Sequence, residues 1–317
     1  MKIHNVSFKG IYLLLAISTL QGCTSVETTS QPTSTSSETA TYVKQGNTLD
    51  SAENSPNTLT QVPYSLLASL ETSAPSSVIN YGPASLQRIY HWQHNAIDGK
   101  ASHASAVIYV HGGCWLSAYD YAHANGFYHA LTRNGNSVYA IEYRRTGDEG
   151  GGWPGSLQDV KLGVEASLDD IAAKGKHKSA FIVGHSAGGH LALLSVQDIN
   201  QYNSQVKVNA VVGLAAITDI ARYARGENSC QRATSAFMAS TPDENPSSYF
   251  NATPVVADNS PTVLLLQGDA DNIVPKHHAY LMGTTQIIIP DGGHFDWLHP
   301  KSTSFNALLD VLGEHYE

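Results

Sequence analysis

From Leu86 onward the hydrophobic positions of this chain fall into two alternating patterns. Short runs rich in β-branched residues, at 86–94, 106–110, 137–143, 180–183, 210–214, 263–267 and 286–289, have the length and composition of strands. Several of them, such as VIYV, FIVG and VLLLQ, are nearly continuous apolar runs, which suits strands covered on both faces and therefore a mostly parallel central sheet. Between them the apolar spacing lengthens to the helical period. Leu157, Val160, Val164, Leu168 and Ile171 share one face of a helix predicted over 156–174, and further helices are predicted over 186–196 and 304–312. Strands and helices in alternation are βαβ organisation, an α/β fold with helices flanking the sheet.

The start of the chain follows neither pattern. Lys2 and Lys9 precede an apolar run of roughly a dozen residues, shorter than the ~20 a membrane span needs and of the length of a secretory leader. It ends in Leu20-Gln21-Gly22-Cys23, which resembles a bacterial lipobox. That resemblance implies a signal peptide over 1–22, removed before Cys23, and lipid attachment at Cys23, so that the chain would be anchored in the cell envelope. Thr24 is not Asp, which for a Gram-negative source implies the outer membrane. Residues 23–60 are dominated by Ser, Thr and other polar side chains and cannot bury enough surface to offset ordering entropy, so they are expected to be a disordered tether. The first segment able to pack is 62–70, and the folded domain is expected over 61–317, with a small cap inserted at about 216–260.

Composition narrows the function classes. Lys+Arg 18 against Asp+Glu 27 gives a net charge of -9, and no basic run is present, so no nucleic-acid partner is expected. Three cysteines cannot build a disulfide scaffold, and they form no C-x-x-C pair for zinc. Neither a metal nor another cofactor is expected. If Cys23 carries lipid, Cys114 and Cys230 are the two remaining thiols, and an oxidising compartment permits a bridge between them.

The chemistry is carried by four loops, each following a predicted strand. Gly184-His185-Ser186-Ala187-Gly188 is a G-x-S-x-G sequence between a strand and a helix, where a tight turn exposes a nucleophilic serine at a strained backbone angle. A neutral serine needs an imidazole to take its proton and a carboxylate to hold that imidazole's tautomer. Gly268-Asp269-Ala270-Asp271 follows VLLLQ and offers two candidate acids, and Gly292-Gly293-His294-Phe295 follows the next strand and offers the base. Val110-His111-Gly112-Gly113-Cys114-Trp115 follows VIYV; with the amide of Ala187 its backbone N–H groups are suited to holding a developing oxyanion. Trp115 and Trp153 are candidates for lining a substrate pocket, His185 for supporting the serine turn, and His277 and His278 read as solvated.

HGGCW, EYRR, WPGSLQDV, GHSAGGHL, GDADNIVP and GGHFDWLHP, in that order over about residues 85–315, resemble the bacterial esterase and lipase branch of the α/β-hydrolases, near the hormone-sensitive-lipase, kynurenine-formamidase and feruloyl-esterase-like groups. The resemblance implies an α/β-hydrolase fold and a Ser186–His294–Asp271 relay, the second aspartate of G-D-x-D being the acid. It also implies an oxyanion hole from the amides of Gly113, Cys114 and Ala187, and a small-molecule carboxylic ester as substrate. It departs from the hormone-sensitive group at Cys114, where many members carry a third glycine, and at Glu142–Gly147, where an acidic D-Y-R-L-A-P stretch is usual. Amide cleavage of the formamidase or prolyl-peptidase type, and a non-catalytic binding lipoprotein on a hydrolase scaffold, are the competing expectations.

Overall fold

In the computed structural model the seven predicted strands and one more, β1, form one eight-stranded sheet ordered β1-β2-β4-β3-β5-β6-β7-β8. The strands are β1 (Ser77–Asn80), β2 (Arg88–Trp92), β3 (Ser105–Val110), β4 (Val138–Glu142), β5 (Ser179–His185), β6 (Lys207–Leu214), β7 (Thr262–Gly268) and β8 (Thr285–Ile289). β1 and β2 are antiparallel to their neighbours, and every pairing from β4 through β8 is parallel. The structure describes residues 58–94, 105–195, 197 and 205–313. The leader, the lipobox with Cys23 and nearly all of the expected tether lie outside the described residues.

The continuous apolar strands are explained by two cores, one on each face of the sheet. Along β3, Ala106, Ile108 and Val110 point into one core with Val160, Val164, Leu168 and Leu191 from α2 (Gly155–Lys174) and α3 (Ala187–Ser195). The alternate residues Val107 and Tyr109 point into the other, with Phe127 and Leu131 of α1 (Asn125–Arg133) and Phe305 and Leu308 of α7 (Thr303–Gly313). Side chains of a strand alternate between faces, so a strand covered by helices on both must be apolar throughout. α2 stops where Gly175 takes a left-handed conformation (φ 64°), which costs a residue without Cβ little.

The segment at 216–260 holds three short helices, α4 (Ile220–Tyr223), α5 (Ser229–Met238) and α6 (Pro246–Asn251). α5 begins with a reciprocal cap: Asn228 Oδ1 accepts the Gln231 amide and Gln231 Oε1 accepts the Asn228 amide. Two elements were not expected. β1 is a four-residue edge strand with alternate residues exposed, and α1 opens on Asn125-Gly126, a pair that reads locally as a turn. Gly126 serves packing instead, since a Cβ there would lie 2.3 Å from Leu70 Cβ.

Candidate active site

Ser186 sits between the end of β5 and the start of α3 with φ 56°, a left-handed angle that strains a residue with a side chain. The glycines around it are required by close backbone approach. A Cβ on Gly188 would lie 2.2 Å from the carbonyl oxygens of Val110 and His111, and one on Gly184 would lie 2.4 Å from the Gly188 carbonyl oxygen. The turn is therefore packed directly against the end of β3, beside the His111-Gly112-Gly113 loop.

Asp271, in the loop after β7, is buried and fully engaged. Its Oδ1 accepts the amides of Ile273 and Val274, both at 2.8 Å, and its Oδ2 accepts Gln267 Nε2 at 3.1 Å and His294 Nδ1 at 2.7 Å. Burial pushes its pKa up, but His294 and the backbone donors outweigh burial and hold it below the ordinary carboxylate value. Of the two candidate acids, the structure joins Asp271 to His294, whereas Asp269 accepts the Asp291 amide at 2.7 Å and serves a turn. His294 and Ser186 line the same cleft of about 250 Å³.

His185 is not a second base. It is buried, and burial followed by the neighbouring His294 holds its pKa well below the ordinary value, so the ring is neutral. Its Nε2 donates to the backbone carbonyl of His294 at 2.9 Å, so the residue preceding the serine positions the histidine loop.

Gly113 and Cys114 also line the cleft. His111 Nδ1 donates to the Gly112 carbonyl at 2.8 Å, and because the peptide is planar and trans this turns the Gly113 N–H to the opposite side. No hydrogen bond among the described residues engages the amide of Gly113 or Cys114. Ala187 is the first residue of α3, where an amide has no acceptor within the helix. Glu142 stands behind this loop, 3.6 Å from His111 and 3.0 Å from Arg145, and accepts the Tyr121 amide at 2.8 Å. Burial raises the Glu142 pKa, but His111, the Tyr121 amide and Arg145 together bring it below the ordinary value.

The remaining expectations are placed as follows. Trp115 is completely buried and stacked on Phe237 with ring centroids 4.7 Å apart; Trp153 meets the edge of the same phenyl ring at 6.3 Å. Neither lines the cleft, because Trp115 follows the glycine loop inward and the core beneath α5 takes both indoles. Cys114 and Cys230 are joined in a disulfide, Cα–Cα 5.1 Å, which ties the glycine loop to the first turn of α5. His278 is not solvated: it is buried, accepts the Thr218 amide at 3.2 Å, and is pushed down to about 3, chiefly by burial and by His277. Arg144 of EYRR grips Asp159 of WPGSLQDV through Nε and Nη2, each at 2.8 Å, which explains both motifs as one brace between β4 and α2. Tyr64, Tyr119 and His123 complete the cleft wall, and no motif pointed to them. Among the described residues no cluster of His, Cys, Asp or Glu is arranged to hold a metal, and no helix is long and apolar enough to cross a membrane.

Comparison with known proteins adds a family. The family model described as BD-FAE matches residues 96–285. No curated protein matches the sequence. Among solved structures, a truncated carbohydrate esterase from gut microbiota is 23% identical, with TM-score 0.60 over 77% of this chain and 97% of its own. Esterase B from Lactobacillus rhamnosis is 16% identical, TM-score 0.58, over 79% and 90%. The metagenomic thermostable carboxylesterase EstE1 is 18% identical, TM-score 0.57, over 79% and 91%. At these identities the likeness is one of fold, the α/β-hydrolase sheet with flanking helices.

Proposed function

This chain belongs to the BD-FAE family, and from that footing we propose that it is a serine hydrolase of carboxylic esters working through an acyl-enzyme. The observation that carries the reading is the His294 Nδ1–Asp271 Oδ2 contact of 2.7 Å, with His294 lining the cleft that Ser186 also lines. Esterase names among the structural neighbours support it.

In the proposed reaction Ser186 Oγ attacks the ester carbonyl while His294 Nε2 takes its proton. Asp271 fixes the proton of Nδ1 and stabilises the imidazolium that forms. Charge developing on the carbonyl oxygen would be met by the amides of Gly113, Cys114 and Ala187, none of which has a competing acceptor among the described residues, and such a donor is worth about 3 kcal/mol of barrier. His294 then protonates the departing alcohol, and water repeats the sequence to release the acid. A cleft of about 250 Å³ lies below the roughly 300–1,000 Å³ of sites for drug-sized ligands, which favours a small ester or the accessible end of a larger one.

Turnover of p-nitrophenyl acyl esters by the wild type and by Ser186→Ala tests the reading, alongside labelling by a fluorophosphonate. The expected result is labelling of wild type alone and loss of turnover in the variant. Undiminished turnover in Ser186→Ala would refute the role of the serine; faster cleavage of aryl formamides than of esters would move the reading to amide hydrolysis, and a folded wild type that neither labels nor turns over would make it a binding protein. We also propose that the mature chain is held in the cell envelope by lipid on Cys23, a reading supported by the charged and apolar leader ahead of Leu20-Gln21-Gly22-Cys23.

A further inference from the structure

The segment 59–72 lies outside the stretch matched by the family model, yet it forms part of the cleft wall. One buried carboxylate docks it. Asp296 accepts the amide of Val62 on Oδ1 at 2.7 Å, and the amides of Gln61 and Gly293 on Oδ2 at 3.0 and 2.8 Å. The same side chain therefore holds the strap and the residue preceding His294 in one arrangement. The strap is anchored further by Leu67, buried against the α1 side of the sheet, and by the Leu59 amide on the Lys301 carbonyl at 2.9 Å.

What this docking delivers to the cleft is the ring of Tyr64. It stands edge-on to Tyr119, with centroids 5.9 Å apart, and 5.3 Å from the Phe295 ring. Behind it lies a second hollow of about 220 Å³, lined by Leu67, Ala68, Thr72 and Asn125 among others, which shares Tyr64 and His123 with the cleft. Asn125 Oδ1 is buried without a hydrogen-bond partner among the described residues. A second hollow, of mixed polar and apolar lining, thus adjoins the cleft. Of the two shared side chains, His123 is tied down by its Nδ1 donating to the Asp120 carbonyl at 2.5 Å, whereas Tyr64 is 41% exposed on the strap.

We propose that Tyr64 is a specificity-determining residue, partitioning the catalytic cleft from the adjoining hollow and thereby limiting the size of the ester group accepted. The proposal rests on the ester-hydrolase reading above. With the ring in place a substrate must fit a cleft of about 250 Å³; with the ring removed, the cleft and the hollow of about 220 Å³ become one space. Asp296 is the positioning residue that keeps the ring there.

The test is kcat/KM for two ester series, one enlarging the alcohol from methyl to naphthyl acetate and one enlarging the acyl group from methyl acetate to methyl benzoate, on wild type, Tyr64→Ala and Tyr64→Phe. Tyr64→Ala is expected to raise the ratio of bulky to small ester at least tenfold in one series, through KM, and that series identifies which half of the ester faces the hollow. Tyr64→Phe keeps the ring and is expected to hold the ratio within twofold. Ratios unchanged in Tyr64→Ala, or a parallel fall for every ester, would overturn the partition while wild-type turnover still upheld the hydrolase reading. A wild type that neither cleaves any ester nor labels with fluorophosphonate would instead remove the reading on which the partition rests. Melting curves separate loss of the ring from loss of the fold.

Discussion

Replacing Asp271 by Asn is expected to lower kcat for ester cleavage by about 10⁴ while leaving the fold intact, and the structure dictates why. An asparagine there has two orientations. In one, its oxygen keeps the Ile273 and Val274 amides, now bonded at 2.8 Å each, and its NH₂ faces His294 Nδ1 and Gln267 Nε2. In the other, its NH₂ faces those two amides, so three donors converge and both amides lose their acceptor. Each orphaned buried donor costs about 1–3 kcal/mol. Gln267 in the first orientation still reaches the Gly268 and Val274 carbonyls, at 3.2 and 2.9 Å, so that arrangement loses far less. The backbone thus forces the amide NH₂ onto His294. Nδ1 must then accept, Nε2 carries the proton, and no base remains for Ser186. A misassigned tautomer of this kind costs about 10⁴ in kcat, close to 5.4 kcal/mol at 1.36 kcal/mol per tenfold. Asp271 does not line the cleft, so KM should change little. Steady-state kinetics with p-nitrophenyl acetate and the rate of fluorophosphonate labelling provide the measurement. An Asp271→Asn protein within tenfold of wild type would refute the tautomer argument.

Other outcomes follow from the same contacts. His190 is buried, its Nε2 donates to the Ala252 carbonyl at 2.7 Å, and burial holds it down at about 4, against an ordinary value near 6.5. The unfolded chain takes up that proton first, so its contribution is full above about pH 6.5 and is lost as pH falls toward about 4; the free energy of unfolding should fall over that window by up to about 1.4 kcal/mol per pH unit for this group, and melting temperature with it. His190→Gln, which keeps a donor, should flatten the slope by that share, and an unchanged slope would count against the assignment. The Cys114–Cys230 disulfide closes a separation of 116 residues, for which chain entropy gives a stabilisation of about 4–5 kcal/mol. Reduction should therefore lower the urea midpoint and, by freeing the glycine loop, slow turnover; thiol titration of the unreduced denatured protein should find neither cysteine free. Cys23→Ala should move the protein from the membrane to the soluble fraction and abolish palmitate labelling, and retention on membranes would refute lipid anchoring.

The sheet was legible because its central strands are buried on both faces, which leaves continuous apolar runs between turn residues. The three loops that carry Ser186, Asp271 and His294 were legible because each holds glycines dictated by backbone approach, and glycine spacing survives in one dimension. Trp115 misled for the same reason that it was noticed: an indole after a glycine loop can turn outward to the cleft or inward to the core, and Phe237, which decides the matter by stacking at 4.7 Å, lies over a hundred residues away. Tyr64 left no trace. Its position depends on the Asp296 carboxylate, and a carboxylate bonded to backbone amides 234 and 235 residues distant has no pattern of its own in sequence.

The loop order alone does not bring the three residues together. Ser186 follows β5 and His294 follows β8, three strands away in the sheet, and at about 4.8 Å per strand the ends of those strands stand about 14 Å apart. The histidine loop has to fold back across the end of β7. Gly268 and Gly292 permit that return, because a Cβ on Gly268 would lie 2.1 Å from the Gly292 carbonyl oxygen. The Ala270 amide bonded to that same carbonyl at 3.1 Å fixes the crossing. His185 then draws the His294 carbonyl to the end of β5 at 2.9 Å, and Asp296 holds the Gly293 amide from the other side at 2.8 Å. The GD of one loop, the GG of the next and the histidine before the serine are thus parts of a single device for spanning three strands. Asp271, in the loop after β7 between the two, is the acid that meets the imidazole along the way.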